Sequence, residues 1–230
     1  MKIIKILHLF LLSLFIVIPL QSSDKLVFTS VKNSGFSKFA LEVMSIAYLN
    51  IGIKISIKPL PGTRALVVSN KGKDVDGELF RISGIEKKYT NLIPVKVALH
   101  ESKWVIYTKN KEFKVNGWQS LKPYKIGIRR GIVTTKKGTQ GMQTVMVNNN
   151  EQLFKMLDSN RVDVIIISEF NGKKYYNKDK YKDIKLLDTP VSVIPVYHFL
   201  HKKNKHLIPK ITQAMETLES KGIIQKIKSK

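Results

Sequence analysis

Two well-separated stretches of this chain carry the same phrase. Lys73-Asp74-Val75-Asp76-Gly77-Glu78-Leu79-Phe80 and Asn160-Arg161-Val162-Asp163-Val164-Ile165-Ile166-Ile167 each read as a helix end, a turn, a Val-Asp pair and a strand. Each closes a longer pattern in which apolar runs alternate with segments of helical period, which marks an α/β chain. In the first copy, residues 26–31 predict a strand, 36–49 a helix and 53–57 a second strand. A short helix capped by Thr63 then runs through Val68 to a stop at Gly72, and a third strand covers 76–80. In the second copy, 124–128 is a strand and Gly131 a turn. Residues 151–157 form a helix opened by Asn149 or Asn150, and 162–167 an all-apolar strand. Asp76 and Asp163 are each read as an aspartate closing a turn at a strand start. One plan used twice predicts two lobes.

Residues 95–108 lie between the copies and are extended, apolar and long enough to cross from one lobe to the other. After the second copy, 193–200 is again strand-like, and 205–219 with 223–227 form a helix pair broken at Gly222. A strand that comes back so late is best placed in the first lobe. The expected domains are therefore residues 24–97 plus 192–230 for lobe 1 and 98–191 for lobe 2. Some two hundred residues are enough for two real cores.

The first 23 residues begin with two lysines, continue with an apolar run over 6–20 and end in Ser22-Ser23. That run is shorter than the about 20 residues a membrane span needs, and it predicts a signal peptide and a periplasmic protein. With no cysteine in the chain, there is neither a disulfide framework nor a lipid attachment site. The net charge is +23, or +21 once Lys2 and Lys5 leave with the signal. Export argues against nucleic acid as the partner of this charge, and the lysines are spread over the chain without a block.

Of the forty lysines and arginines only five are arginine: Arg64, Arg81, Arg129, Arg130 and Arg161. A guanidinium offers a rigid fork matched to carboxylate or phosphate, whereas lysine is a flexible, strongly hydrated point charge. Arg81 follows a predicted strand and Arg129-Arg130 precedes a glycine turn, which suggests anion recognition. Arg64 stands between a ligand contact and a surface residue, and Arg161 reads as surface. The five histidines have no metal-ligating spacing, and Gly127 and Gly131 fall short of a phosphate-cradling pattern. No cofactor or metal is expected.

With the exported start come Pro61-Gly62-Thr63-Arg64-Ala65-Leu66, Val75-Asp76-Gly77-Glu78-Leu79-Phe80-Arg81, Tyr124-Lys125-Ile126-Gly127-Ile128-Arg129-Arg130-Gly131 and Arg161-Val162-Asp163-Val164. Val196-Tyr197-His198-Phe199-Leu200-His201-Lys202-Lys203 and Glu219-Ser220-Lys221-Gly222 follow. In this order the segments resemble the type II periplasmic solute-binding proteins, in particular the bacterial amino-acid-binding family. The resemblance implies two lobes, each a mixed sheet flanked by helices, with a ligand cleft between them. It implies a monomeric binding protein and no enzyme, which closes on a small anionic or zwitterionic solute and delivers it to an ABC transporter permease or a sensor. The implied ligand contacts are Phe36, Arg64, Arg81, Arg130, Thr134, Ser168 and Glu169. Two departures stand out. Arg81 takes a place usually held by serine or threonine, with Lys88 where an arginine is usual, and Ser168 stands where an aspartate usually meets the ligand's amino group. The alternative is a periplasmic lyase resembling the cyclohexadienyl dehydratases, with Glu169 as general acid or base. Without that role, Glu169 is a helix-opening residue favoured by the helix dipole.

Overall fold

The computed structural model describes residues 25–229, and the expected signal segment lies outside them. Among the described residues no helix is long and apolar enough to cross a membrane. Strand β1 (Lys25–Val31) pairs in parallel with β2 (Lys54–Leu60) and with β3 (Gly77–Ile82). Between them, α1 (Phe36–Leu49) buries Phe36, Phe39, Ala40, Val43, Met44 and Ala47, an apolar stripe at helical spacing. Helix α2 (Gly62–Lys71) ends at Gly72, whose φ of 66° is the left-handed conformation glycine adopts without strain. Its start differs from expectation. Pro61 occupies the cap position and no side chain caps the helix, so Thr63 sits inside the first turn.

Strands β4 (Leu92–Thr108) and β9 (Ser192–His201) are antiparallel partners over much of their length. The far end of β9 also pairs with β3, Gly77 opposite Leu200, so the late strand inserts between β3 and β4. The second half of β4, Trp104 to Thr108, pairs instead with β7 (Val164–Ser168). Strand β5 (Ile126–Arg129) lies in parallel between β7 and β6 (Thr144–Val147). The order across the sheet is β2-β1-β3-β9-β4-β7-β5-β6, with the two-residue β8 (Lys185–Leu186) on the side of β4. Helix α4 (Asn150–Asp158) opens with a capping box, Asn149 accepting from the Gln152 N–H and Gln152 reaching back. The sequence reading passed over β6 and the short helix α3 (Val133–Gly138), whereas α5 (Glu169–Tyr175) opens at Glu169, the residue read as a helix opener. The chain ends in α6 (Ile208–Ser220) and α7 (Ile223–Lys228), broken at Gly222.

The echoed Val-Asp pairs do the same physical work. Asp76 Oδ2 accepts the main-chain N–H of Val27 at 2.8 Å, and Asp163 Oδ2 accepts that of Lys125 at 2.8 Å. Each aspartate thus ties the turn before one strand to the start of a neighbouring one. Distinct cores form on either side. One joins Phe28, Val43, Met44 and Leu79 to Leu200, Ile211 and Met215. In the other half, alternate residues of β7 feed opposite faces, Ile165 and Ile167 one cluster and Val164 and Ile166 another. A strand buried on both faces reads as the continuous apolar run seen in the sequence.

His198 and His201 occupy opposite faces of β9, as their spacing predicts. His198 is completely buried; its Nδ1 donates to the Leu79 carbonyl at 3.0 Å and its Nε2 accepts from Tyr48 Oη at 2.9 Å. Burial pushes its pKa down to about 4.

Candidate functional site

The carboxyl ends of β1, β3, β5 and β7 point toward one another, the place where open α/β sheets bind ligands. Between them lies a small cavity of about 80 Å³. Arg81, at the end of β3, is one wall. In a regular strand residues 78 and 81 face opposite sides, but the register against β9 shifts between them. This bulge turns both to one face. Arg81 Nε lies 3.1 Å from Glu78 Oε1, misaligned for a hydrogen bond, and Nη2 donates to the Gly62 carbonyl at 3.0 Å. Glu78 is completely buried and accepts from Thr29 and Ser69. Burial raises its pKa, and Arg81, Thr29 and Ser69 pull against that shift.

Arg129, at the end of β5, is the facing wall and is likewise 8% exposed. Its Nη2 reaches the segment after β1 and donates to the Lys32 carbonyl at 2.6 Å. Among the described residues its Nε and Nη1 are buried without a partner, as is Trp104 Nε1 on the same cavity. Burial lowers the Arg129 pKa; the Arg81 charge adds to that shift and Tyr175 opposes it. Buried donors left unsatisfied cost about 1–3 kcal/mol each, and more when charged. An anion between the two arginines removes that cost with charge-assisted bonds.

Ser168 Oγ accepts from Asn171 Nδ2 at 2.8 Å, which leaves its own hydrogen available to a ligand, while Asn171 Oδ1 crosses the cleft to accept from Gly35 N at 2.7 Å. Thr134, buried in the first turn of α3, adds a hydroxyl. Phe36 supplies an aromatic wall and meets Phe170 of α5, ring centroids 5.0 Å apart. All three contacts, of Arg129, Asn171 and Phe170, gather on residues 32–36, the segment that follows β1.

Of the residues expected in the site, Phe36, Arg81, Thr134 and Ser168 line this cavity, whereas Arg64, Arg130 and Glu169 do not. Arg64 is exposed on α2. Arg130 is exposed beside Asn148, its Nε 3.3 Å from Oδ1, and lines a wider outer groove with Lys88, Lys136 and Lys137. Successive residues of an extended segment point to opposite sides, so when Arg129 faces the cavity Arg130 cannot. Glu169 pairs with Lys173 at 3.2 Å. Sequence reasoning singled out the Arg129-Arg130 pair but gave the ligand contact to Arg130, and it missed Trp104 and Asn171. The outer groove is the larger opening, but its cations are exposed and hydrated, and we assign the site to the cavity where the donors are desolvated.

No protein-family model matches the chain. A protein of Shewanella oneidensis, described only as uncharacterized, is 24% identical over 204 residues, covering 86% of this chain and 77% of its own length. Among solved structures, an ancestral arginine-binding protein bound to arginine superposes with a TM-score of 0.72 at 19% identity, over 88% of this chain and 96% of its own. The GluR0 ligand-binding core complexed with L-glutamate gives 0.75 at 14% identity, over 90% and 97%. A histidine kinase sensor domain similar to periplasmic binding proteins gives 0.75 at 10% identity, over 89% and 94%. The fold is thus the α/β, two-lobed fold of periplasmic binding proteins, a mixed sheet flanked by helices.

Proposed function

We propose that this chain is an exported solute-binding protein whose lobes close on a small anion and present it to a membrane permease or a sensor. One observation carries the reading. Arg81 and Arg129, on strands of opposite lobes, converge on one cavity, and Arg129 keeps two buried nitrogens without a partner among the described residues. A cleft of this composition is incomplete until an anion enters, which is how a binding protein couples ligand to closure. Solved proteins of the same fold bind arginine or L-glutamate, and another is a kinase sensor domain, so both kinds of partner suit the fold. In this reading the lobes comprise residues 24–97 with 192–230, and 98–191, and the protein acts as a monomer. The apolar clusters support a division near these bounds, with Leu99 and Phe170 joining the first core and Ile194 the second. No observation favours the lyase alternative, because Glu169 is paired with Lys173 off the cavity wall.

A thermal-shift screen of small anions tests the proposal. A ligand at a hundred times its dissociation constant adds about 2.7 kcal/mol of stability, and small-angle scattering should then report a narrower distribution of lobe separations. A broad anion panel that moves neither observable would overturn it.

A further inference from the structure

The polar groups around the cavity are unequally divided between donors and acceptors. Arg81, Arg129 and Trp104 Nε1 are donors only, and Ser34, Ser102, Thr134 and Ser168 add hydroxyls. Among the described residues no carboxylate belongs to the wall. Three acceptors about the cavity already hold a donor: the Lys32 carbonyl takes Arg129, the Gly62 carbonyl takes Arg81, and Asn171 Oδ1 takes Gly35 N. Glu78 lies beneath Arg81 with its Oε1 against that guanidinium and its Oε2 held by Thr29 and Ser69. An ammonium group brought into this cavity would sit beside two guanidinium groups with no free anion to offset it. The rest of the wall, including Val31, Phe80, Ile85, Ile132 and Val196, is apolar.

Resting on the reading of the cleft as an anion site, we infer that the ligand is a small carboxylate with an apolar body and no ammonium group. An α-keto acid or an unsubstituted carboxylic acid fits this description and the corresponding amino acid does not. The carboxylate takes the arginine fork, the Trp104 N–H and the Ser168 hydroxyl serve its second oxygen or a keto oxygen, and the hydrocarbon lies on the apolar wall. Burying a charge without a partner is strongly unfavourable, and this penalty falls on the amino acid alone.

Two probe sets with matched carbon skeletons test the inference by calorimetric titration of the mature chain: ketoisocaproate, isocaproate and leucine, and pyruvate, propionate and alanine. The acids of at least one set should bind, with the amino acid weaker by about a hundredfold or more. Ser168→Asp sets a carboxylate on the wall and should reverse the order, and its ligand-free melting temperature checks that the fold is retained. Amino acids binding as tightly as their keto acids would overturn the inference and leave the anion-binding cleft standing. Failure of every acid also overturns it, and only the additional failure of the broad anion panel overturns the reading of the cleft.

Discussion

Gly62 of the first lobe lies against the carbonyl of Gly131 of the second with no room for a Cβ between them. Gly131 itself has a φ of 80°, the left-handed conformation that glycine tolerates. The two lobes thus meet backbone to backbone at the edge of the cleft. Gly62→Ala should keep each lobe folded but hold the cleft ajar. The expected result is a melting temperature close to wild type without ligand, a loss of ligand affinity of tenfold or more, and scattering profiles that no longer change on saturation.

Arg129 and Arg130 should separate cleanly by mutation. Arg129→Met removes buried donors from the cavity and should lower affinity by about ten- to a hundredfold, since a hydrogen bond to a charged group contributes about 1.5–3 kcal/mol. Arg130→Met removes an exposed cation and should change affinity by less than about threefold. Calorimetry on both variants checks the assignment, and equal losses would move the site to the outer groove.

Arg81 binds and stabilises at once, because the pair it makes with Glu78 is buried rather than on the surface. Arg81→Ala strands a buried carboxylate and should cost up to about 3–5 kcal/mol of stability in addition to affinity. Combining it with Glu78→Gln should recover most of the stability and none of the binding, as measured by denaturant unfolding alongside titration. Arg81→Lys keeps the charge but loses the fork, and should weaken binding by about tenfold or more.

Acid should destabilise the protein before ordinary carboxylates titrate. His198 has a folded pKa of about 4 against an ordinary 6.5, so between those values the unfolded chain binds the proton that the folded chain refuses. Its contribution, on the order of 3 kcal/mol, is complete above about pH 6.5 and is lost as pH falls toward 4. His100, also lowered to about 4, acts in the same direction. Glu78 acts oppositely, since its raised pKa lets the folded state keep a proton. Melting temperatures of wild type and His198→Gln from pH 7 to 4 isolate the histidine, and the variant should start lower and show the shallower slope.

The alternation of elements was legible because each lobe repeats one plan whose apolar periods change from strand to helix. Parts of the site were not, for reasons that lie in pairing. Every residue of β5 is buried, so no alternation in Ile126-Gly127-Ile128-Arg129 reveals which face Arg129 takes. Its direction depends on β5 lying between β6 and β7, and Thr144-Val145-Met146-Val147 is too short to announce a strand. The approach of Arg81 to Glu78 depends on the β3 bulge, a register shift against a strand more than a hundred residues later. Trp104 and Asn171 reach the cavity through the crossing of β4 and the first turn of α5, and no local motif marks either.

The position of β9 between β3 and β4 also sets an order of assembly. The apolar cluster around Phe28, Met44 and Leu79 includes Val196, Leu200, Ile211 and Ile227, whereas the clusters of the second half draw on residues between Trp104 and Ile194. A chain emerging from its amino end can close the second core while the first, with α1 already in place, still lacks β9 and the helices α6 and α7. Domains fold as their sequences become available, and contacts between distant residues form late. The half of the protein that appears first is therefore the half completed last, and until β9 arrives its unpaired β3 edge is the surface most open to aggregation or proteolysis.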